Sequence, residues 1–309
     1  MEPALTDSLL KAALALLAGT VVATSPAHAV FELQGPTPRA MAIGGAASAL
    51  LDDASALYYN PAGLASLSST NAAFSHNRIG NFDFLSHSLA YAGFPMGKFG
   101  SAAAGVRTFM TKSSQGERLS NEFTLSIAHG FTVMEDVHSS LAVGWAAHMH
   151  QLGFGTSAGT YVPATDSYVD RIDLGSASAV GFDVGVRANL EGRTFLSAVL
   201  RNLNRPTLGD TDRIQLLEAL TLGAAYQPYP DVVTTGEVEL RSGEAPSLLR
   251  AGMEYRIVEM LTLRVGVGSE PARFSGGARI AFGNFVFDYT FGDHPILPSS
   301  HYLGVGVEF

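Results

Sequence analysis

Four groups of side chains in this 309-residue chain have the types and spacing to do chemistry. Gly155-Thr156-Ser157-Ala158-Gly159 has the G-x-S-x-G spelling of a hydrolase nucleophile elbow. That elbow needs a strand before the serine and a helix after it. Here the segment lies in a Gly-rich stretch between two strand-like runs, so it reads as a flexible loop and no catalytic residue is assigned. His148 and His150 stand two apart, on one side of a strand, as two metal ligands would. No third ligand accompanies them at suitable spacing, so they read as polar lining, with no metal and no cofactor assigned. Asp52 and Asp53 are either cation ligands or helix-capping groups that pair with facing arginines. The fourth group is larger. Glu237, Glu239, Arg241, Arg250, Glu254, Arg256 and Arg264 fall on three consecutive strands, and Arg187 and Arg279 share their kind of position on others. Mutual pairing is one reading of them; a polar track for water and a solute headgroup is the other.

The elements that hold these groups alternate residue by residue. Leu261, Leu263, Val265 and Val267 oppose Thr262, Arg264, Gly266 and Gly268. Phe274, Ile280 and Phe282 oppose Arg273, Ser275 and Arg279. Phe285, Phe287, Tyr289 and Phe291 oppose Val286, Asp288 and Thr290. The runs containing Val143, Phe182, Val238 and Met253 repeat the pattern. A period of two means strands with one apolar and one polar or small face. A soluble sandwich and a membrane barrel both alternate, with opposite faces inward. Run lengths near those needed to cross a bilayer favour the barrel, as do aromatics near the ends at Tyr226, Tyr255, Phe282, Phe285 and Phe291. An arginine at mid-depth on the lipid face would cost ~2–4 kcal/mol, so Arg187, Glu237, Glu239, Arg250, Glu254, Arg264 and Arg279 are expected to line the lumen. Turn counting predicts about fourteen antiparallel strands. Short connections (95–98, 190–193, 227–231, 283–284) alternate with longer ones (110–120, 153–175, 203–213, 292–300). Apolar residues in the longer set (Leu152, Phe154, Tyr161, Val162, Ile296, Leu297) either catch a greasy molecule or pack on one another.

Composition agrees. There is no cysteine, so no disulfide framework and no thiolate metal site. The formal charge is −9, with only 19 Lys and Arg, which makes nucleic acid a poor partner. Lys11, the apolar run 12–23 and Ala27-His28-Ala29 predict a cleaved signal peptide over 1–29, leaving Val30-Phe31 at the mature terminus. An uncleaved anchor is the alternative, but the run is shorter than the ~20 residues a spanning helix needs. The remaining division is a plug at 30–69 and a barrel at 70–309.

Gly44 to Leu67 is the one segment with a helical pattern. Leu50, Leu51, Ala54, Leu57 and Tyr58 fall on one helical face. Asn60 is expected to stop the helix in a left-handed turn, Pro61 to end the ladder, and Gly63 to let the chain swing toward the first strand. The stretch from Ala40 to Ala65, with its Gly/Ala run, the Asp52-Asp53 pair and Asn60-Pro61-Ala62, resembles the N-terminal plug of FadL-type outer-membrane transporters and of the related PorV-like proteins. The resemblance implies an all-β transmembrane barrel with a small helical plug in its lumen, not an enzyme, in the outer membrane of a Gram-negative-type bacterium. It implies passage of hydrophobic small molecules, with Asn60, Pro61 and Ala62 as the plug positions that matter to a gating shift. The PorV-like alternative is a non-transporting scaffold for secretion or surface assembly, with a secretion partner. The chain ends on Leu303, Val305, Val307 and Phe309, one apolar face closed by an aromatic, like the signal read by barrel-insertion machinery. Outer-membrane lipid, that machinery and a hydrophobic ligand are the expected partners.

Overall fold

Strands that alternate in this way have two faces, and closing the sheet gives each face its own solvent. The computed structural model describes residues 31, 37–113, 116–157, 159–163, 167–209, 213–243 and 246–309. Residues 1–29, where a leader is expected, lie outside the described residues. Fourteen strands form a closed antiparallel barrel in which each pairs with its sequence neighbour and the last pairs with the first. They are β1 Asn71–Arg78, β2 Leu85–Pro95, β3 Ser101–Lys112, β4 Arg118–Glu135, β5 Ser140–Phe154, β6 Ser176–Leu190 and β7 Thr194–Arg201. Then follow β8 Ala219–Tyr229, β9 Val232–Arg241, β10 Leu248–Val258, β11 Leu261–Gly268, β12 Arg273–Phe282, β13 Phe285–Gly292 and β14 Ser300–Glu308. Closure leaves no edge strand, as a sheet in hydrocarbon requires. No helix among the described residues is long and apolar enough to cross a membrane.

The apolar parity faces outward. Val265, Val267, Phe274, Phe287 and Val305 are all exposed, while Glu237, Glu239, Glu254 and Arg264 are buried inside. A belt of large apolar side chains around the whole wall belongs in lipid, not in water. Two expectations about the wall need correction. The connection between β3 and β4 is short, because the strands stay paired as far as Lys112 and Arg118. β4 runs for 18 residues and β5 and β6 for 15 each, so one side of the wall stands taller at the long-loop end. Arg256 is not in the lumen track. It sits half-exposed at the short-turn end, with Nε and Nη2 donating to Asp231 at 3.0 and 2.8 Å.

The lumen is filled by residues 37–67. The second short turn of helix expected after Asp52 or Asp53 is present, but the helix expected before it is not. α1 (Pro38–Ala42) begins at Thr37, whose side chain accepts from the Ala40 N–H, with proline at its first position. Gly44 and Gly45, at φ of 70° and 85°, then turn the chain, and 46–51 is a series of turns. α2 spans only Ala56–Tyr59 and is followed by a 3₁₀ helix over Pro61–Ser66. The apolar residues 50, 51, 54, 57 and 58 are all buried, but by walls on several sides rather than along one helical stripe. Asn60 is extended at φ −155°, not left-handed; Pro61 starts the 3₁₀ turn instead of ending a ladder. Gly63 does not swing the chain away; a side chain there would press on the Leu51 carbonyl and Ala56.

Candidate functional site: the plugged lumen

The barrel wall is moulded to the plug. Ten of the fourteen strands carry an inward glycine that a plug atom approaches closely. A Cβ at Gly144 would collide with Ala62 N, one at Gly252 with Ile43, and one at Gly266 with Gly44 N. Backbone therefore approaches backbone, and no gap wide enough for a side chain remains at that depth. The apolar side of the plug (Leu51, Leu57, Tyr58, Leu64) packs with inward Leu89, Ala103, Ala128 and Ala146. These belong to β2, β3, β4 and β5.

The opposite wall is charged, and its hub is Arg39, the only cation between 37 and 69. Its Nε and Nη2 donate to Glu254 at 3.0 and 3.2 Å, and its Nη1 to Asp52 at 2.9 Å and Asp53 at 2.8 Å. Arg264 donates to Glu254 from its Nε at 2.8 Å and reaches Asp288 with Nη1. Asp53 also accepts from the Ser55 N–H at 2.8 Å, the turn-starting role expected of the aspartate pair. Glu237 accepts from the Ser48 N–H at 2.9 Å and from Arg250 at 2.6 Å. Glu239 binds Arg250, Arg241 and Arg201. Arg187 donates to the Ala49 carbonyl and the Ser66 hydroxyl. Asn60 uses its whole amide: Oδ1 accepts from Ala62 N–H, and Nδ2 donates to Ser48 and Val186 carbonyls. Arg279 lies toward the short-turn mouth, pairs with Glu308 and borders the same small cavity as Arg39, Asp53 and Asp288. Buried charges cost several kcal/mol each unless paired, and here pairing spans plug and wall.

Arg39, Arg201 and Asp288 were not singled out by the sequence reading. Arg39 had a usable signal, being the lone cation of an acidic plug. The inward glycines had one too, since they occupy the lumen parity of their strands.

Burial pushes the Asp53 carboxyl up, but the Arg39 guanidinium and the Ser55 hydrogen bonds outweigh it and hold the group below the usual carboxylate range. A depressed folded value means the contact stabilises the plug fully above the ordinary carboxylate value of about 4 and is lost as pH falls through the folded value. Hydrogen exchange, corrected for intrinsic rates, is expected to show plug amides losing protection relative to barrel strands between pH 5 and pH 3, values that bracket that ordinary range. Asp53→Asn should flatten this difference. Equal losses in both proteins would remove Asp53 from the account.

Ser157 Oγ accepts from the Ile172 N–H, bracing the loop, and Ala158 lies outside the described residues. His148 Nδ1 lies 2.8 Å from Ser126 Oγ and its Nε2 3.1 Å from Asp183. His150 Nδ1 lies 3.1 Å from Thr124 Oγ1. Both rings are buried in the lumen wall, and no metal-holding group of three occurs among the described residues. Leu152 does not wait in a loop for a ligand. It faces inward on β5 and packs with Phe31, Leu208 and Leu216. Phe154, Ile296 and Leu297 are exposed at the long-loop end, and Val162 is half-buried. The side chain of Tyr161 lies outside the description.

Above the plug, at the long-loop end, lies a cavity of about 210 Å3. Met41, Gly44, Gly45 and Tyr59 floor it; Leu216, Leu248 and Tyr302 line it; Asp293 and His294 border its mouth. These features define a class: a fourteen-strand membrane β-barrel with its own N-terminal segment seated in the lumen. Solved structures of outer-membrane proteins share this fold. The chain is similar to the toluene transporter TbuX of Ralstonia pickettii, 16% identical over 91% of this chain and 100% of that one, with a TM-score of 0.59. It is similar to the toluene transporter TodX of P. putida, 13% identical over 90% and 99%, TM-score 0.59. A FadL homologue of Pseudomonas aeruginosa is 10% identical over 88% and 95%, TM-score 0.54. At these identities the likeness carries the fold. No protein-family model and no curated protein matches the chain.

Proposed function

We propose that the chain is an outer-membrane channel for small hydrophobic molecules, exported by the leader over 1–29, inserted through its C-terminal strand and gated by the plug. The observation that carries this reading is the cavity above the plug: an enclosed, partly apolar space that opens at the long-loop end and stops at seated backbone. Exposed Ile296 and Leu297 stand beside Asp293 and His294 at its mouth, where a greasy molecule arriving from outside meets apolar surface first. The neighbours described as toluene transporters support the ligand class. The plug is closed, so passage needs it to shift, and Asn60 is the natural hinge, since it ties Ser48 of the plug to Val186 of the wall.

Proteoliposomes test this. Reconstituted protein is expected to accelerate uptake of labelled toluene over empty vesicles while leaving a sugar of similar size excluded. No acceleration, together with a co-purifying secretion partner, would replace the channel with the scaffold.

A further inference from the structure

One arginine of the cavity above the plug has no ion pair among the described residues. Arg201, Arg241, Arg250 and Arg273 all line it. The first three converge on Glu239, and Arg250 also holds Glu237. Arg273, the first residue of β12, has no carboxylate within 4.0 Å among the described residues. Glu270 and Asp293 also border the cavity, beyond ion-pairing reach of it.

Two further lining residues each carry a buried nitrogen without a partner, closed off from the cavity itself. Arg201, 6% exposed, has a buried Nε with no hydrogen-bond partner. His150, 4% exposed, has the same at Nε2. A neutral hydrocarbon offers no acceptor to Arg273.

We infer that this cavity selects a small aromatic or alicyclic carboxylate over the neutral hydrocarbon of the same shape, with the carboxylate on Arg273 and the ring against Leu216, Leu248 and Tyr302. It rests on the channel reading and narrows its substrate class. The space of about 210 Å3 is ample for one substituted ring. A planar carboxylate matches a guanidinium fork, which a sugar hydroxyl or a hydrocarbon does not.

Equilibrium binding of benzoate, toluene and acetate to the detergent-purified protein tests this. Benzoate is expected to bind more tightly than toluene, and acetate not to displace it. Arg273→Gln should weaken benzoate by about tenfold or more and leave toluene unchanged, while Arg273→Lys recovers part of the loss. Heat-modifiable migration confirms that each variant is a folded barrel. Toluene binding as tightly as benzoate, or an Arg273→Gln protein indistinguishable from wild type, overturns the inference and leaves the channel standing. Acetate competing as well as benzoate reduces the site to adventitious anion binding and overturns it too. Failure of both ring compounds to bind removes the inference and the channel reading together.

Discussion

Gly266→Leu is expected to unseat the plug and turn a closed barrel into a leaky one. The side chain would enter where Gly44 N and the Ile43 carbonyl carbon now lie against the wall. Neither group can rotate away, because both are backbone. Overpacking ordinarily costs about 1–3 kcal/mol, and each 1.4 kcal/mol is tenfold in the population of the unseated state. The barrel itself should survive, since its ladder hydrogen bonds do not pass through that side chain. Planar-bilayer recordings should show steady ion conductance where wild type shows little. Gly276→Leu is the matched control. It adds the same side chain one strand over, on the lipid face, where the nearest atoms to a Cβ are 3.8 Å away. If both variants conduct alike, or neither does while both fold, the moulding of the wall to the plug is not what closes the lumen.

Arg39→Met is expected to loosen the same plug from its charged side. Arg39 is the one residue that ties α1 to the Asp52-Asp53 turn and both of them to Glu254 on β10. Methionine keeps much of the length but leaves Asp53 without its cation. Glu254 keeps only Arg264, and Arg264 is shared with Asp288. Removing one partner of a buried pair costs about 3–5 kcal/mol; since Asp52 is mostly exposed, the lower end applies, roughly two orders of magnitude in plug opening. The chain has no cysteine, so a reporter can be placed cleanly. Ser48→Cys puts a thiol at a position 1% exposed. It should react slowly with a water-soluble maleimide in the wild-type background and far faster with Arg39→Met. Arg39→Lys should fall between, because an ammonium cannot reproduce the guanidinium fork toward Glu254. Equal labelling rates in all three backgrounds would mean that the glycine contacts alone hold the segment.

The two changes act on the same pair of strands by different means, since Gly266 lies two residues from Arg264 on β11 and opposite Gly252 on β10, the strand of Glu254. If backbone fit closes the lumen without help from the ion pairs, Arg39→Met raises labelling without raising conductance, and Gly266→Leu raises both.

The barrel was legible in the residues because a strand's period is two and every strand obeys it independently of the others. Arg264 between Leu263 and Val265 has one affordable side whatever the rest of the chain does, so the inward set and the fourteen-strand closure could be anticipated from local pattern. Local pattern failed where residues far apart act on the same backbone. Gly44 to Leu67 carries helical spacing, yet it folds as turns around short helices. Its surroundings are a curved wall on all sides, and Gly44 and Gly45 supply the positive φ with which the chain follows that wall. Asn60 is extended because its amide must reach Ala62, Ser48 and Val186 at once, and no window of sequence contains all three. The sequence by itself determined which side of each strand meets lipid, since that depends on single side chains and their solvent. Only the tertiary structure decided which charges meet, why Arg273 is left over, and where glycine is required, because these depend on pairs far apart in the chain, such as Pro38 and Thr290 at 252 residues, brought together when the barrel closes around its own beginning.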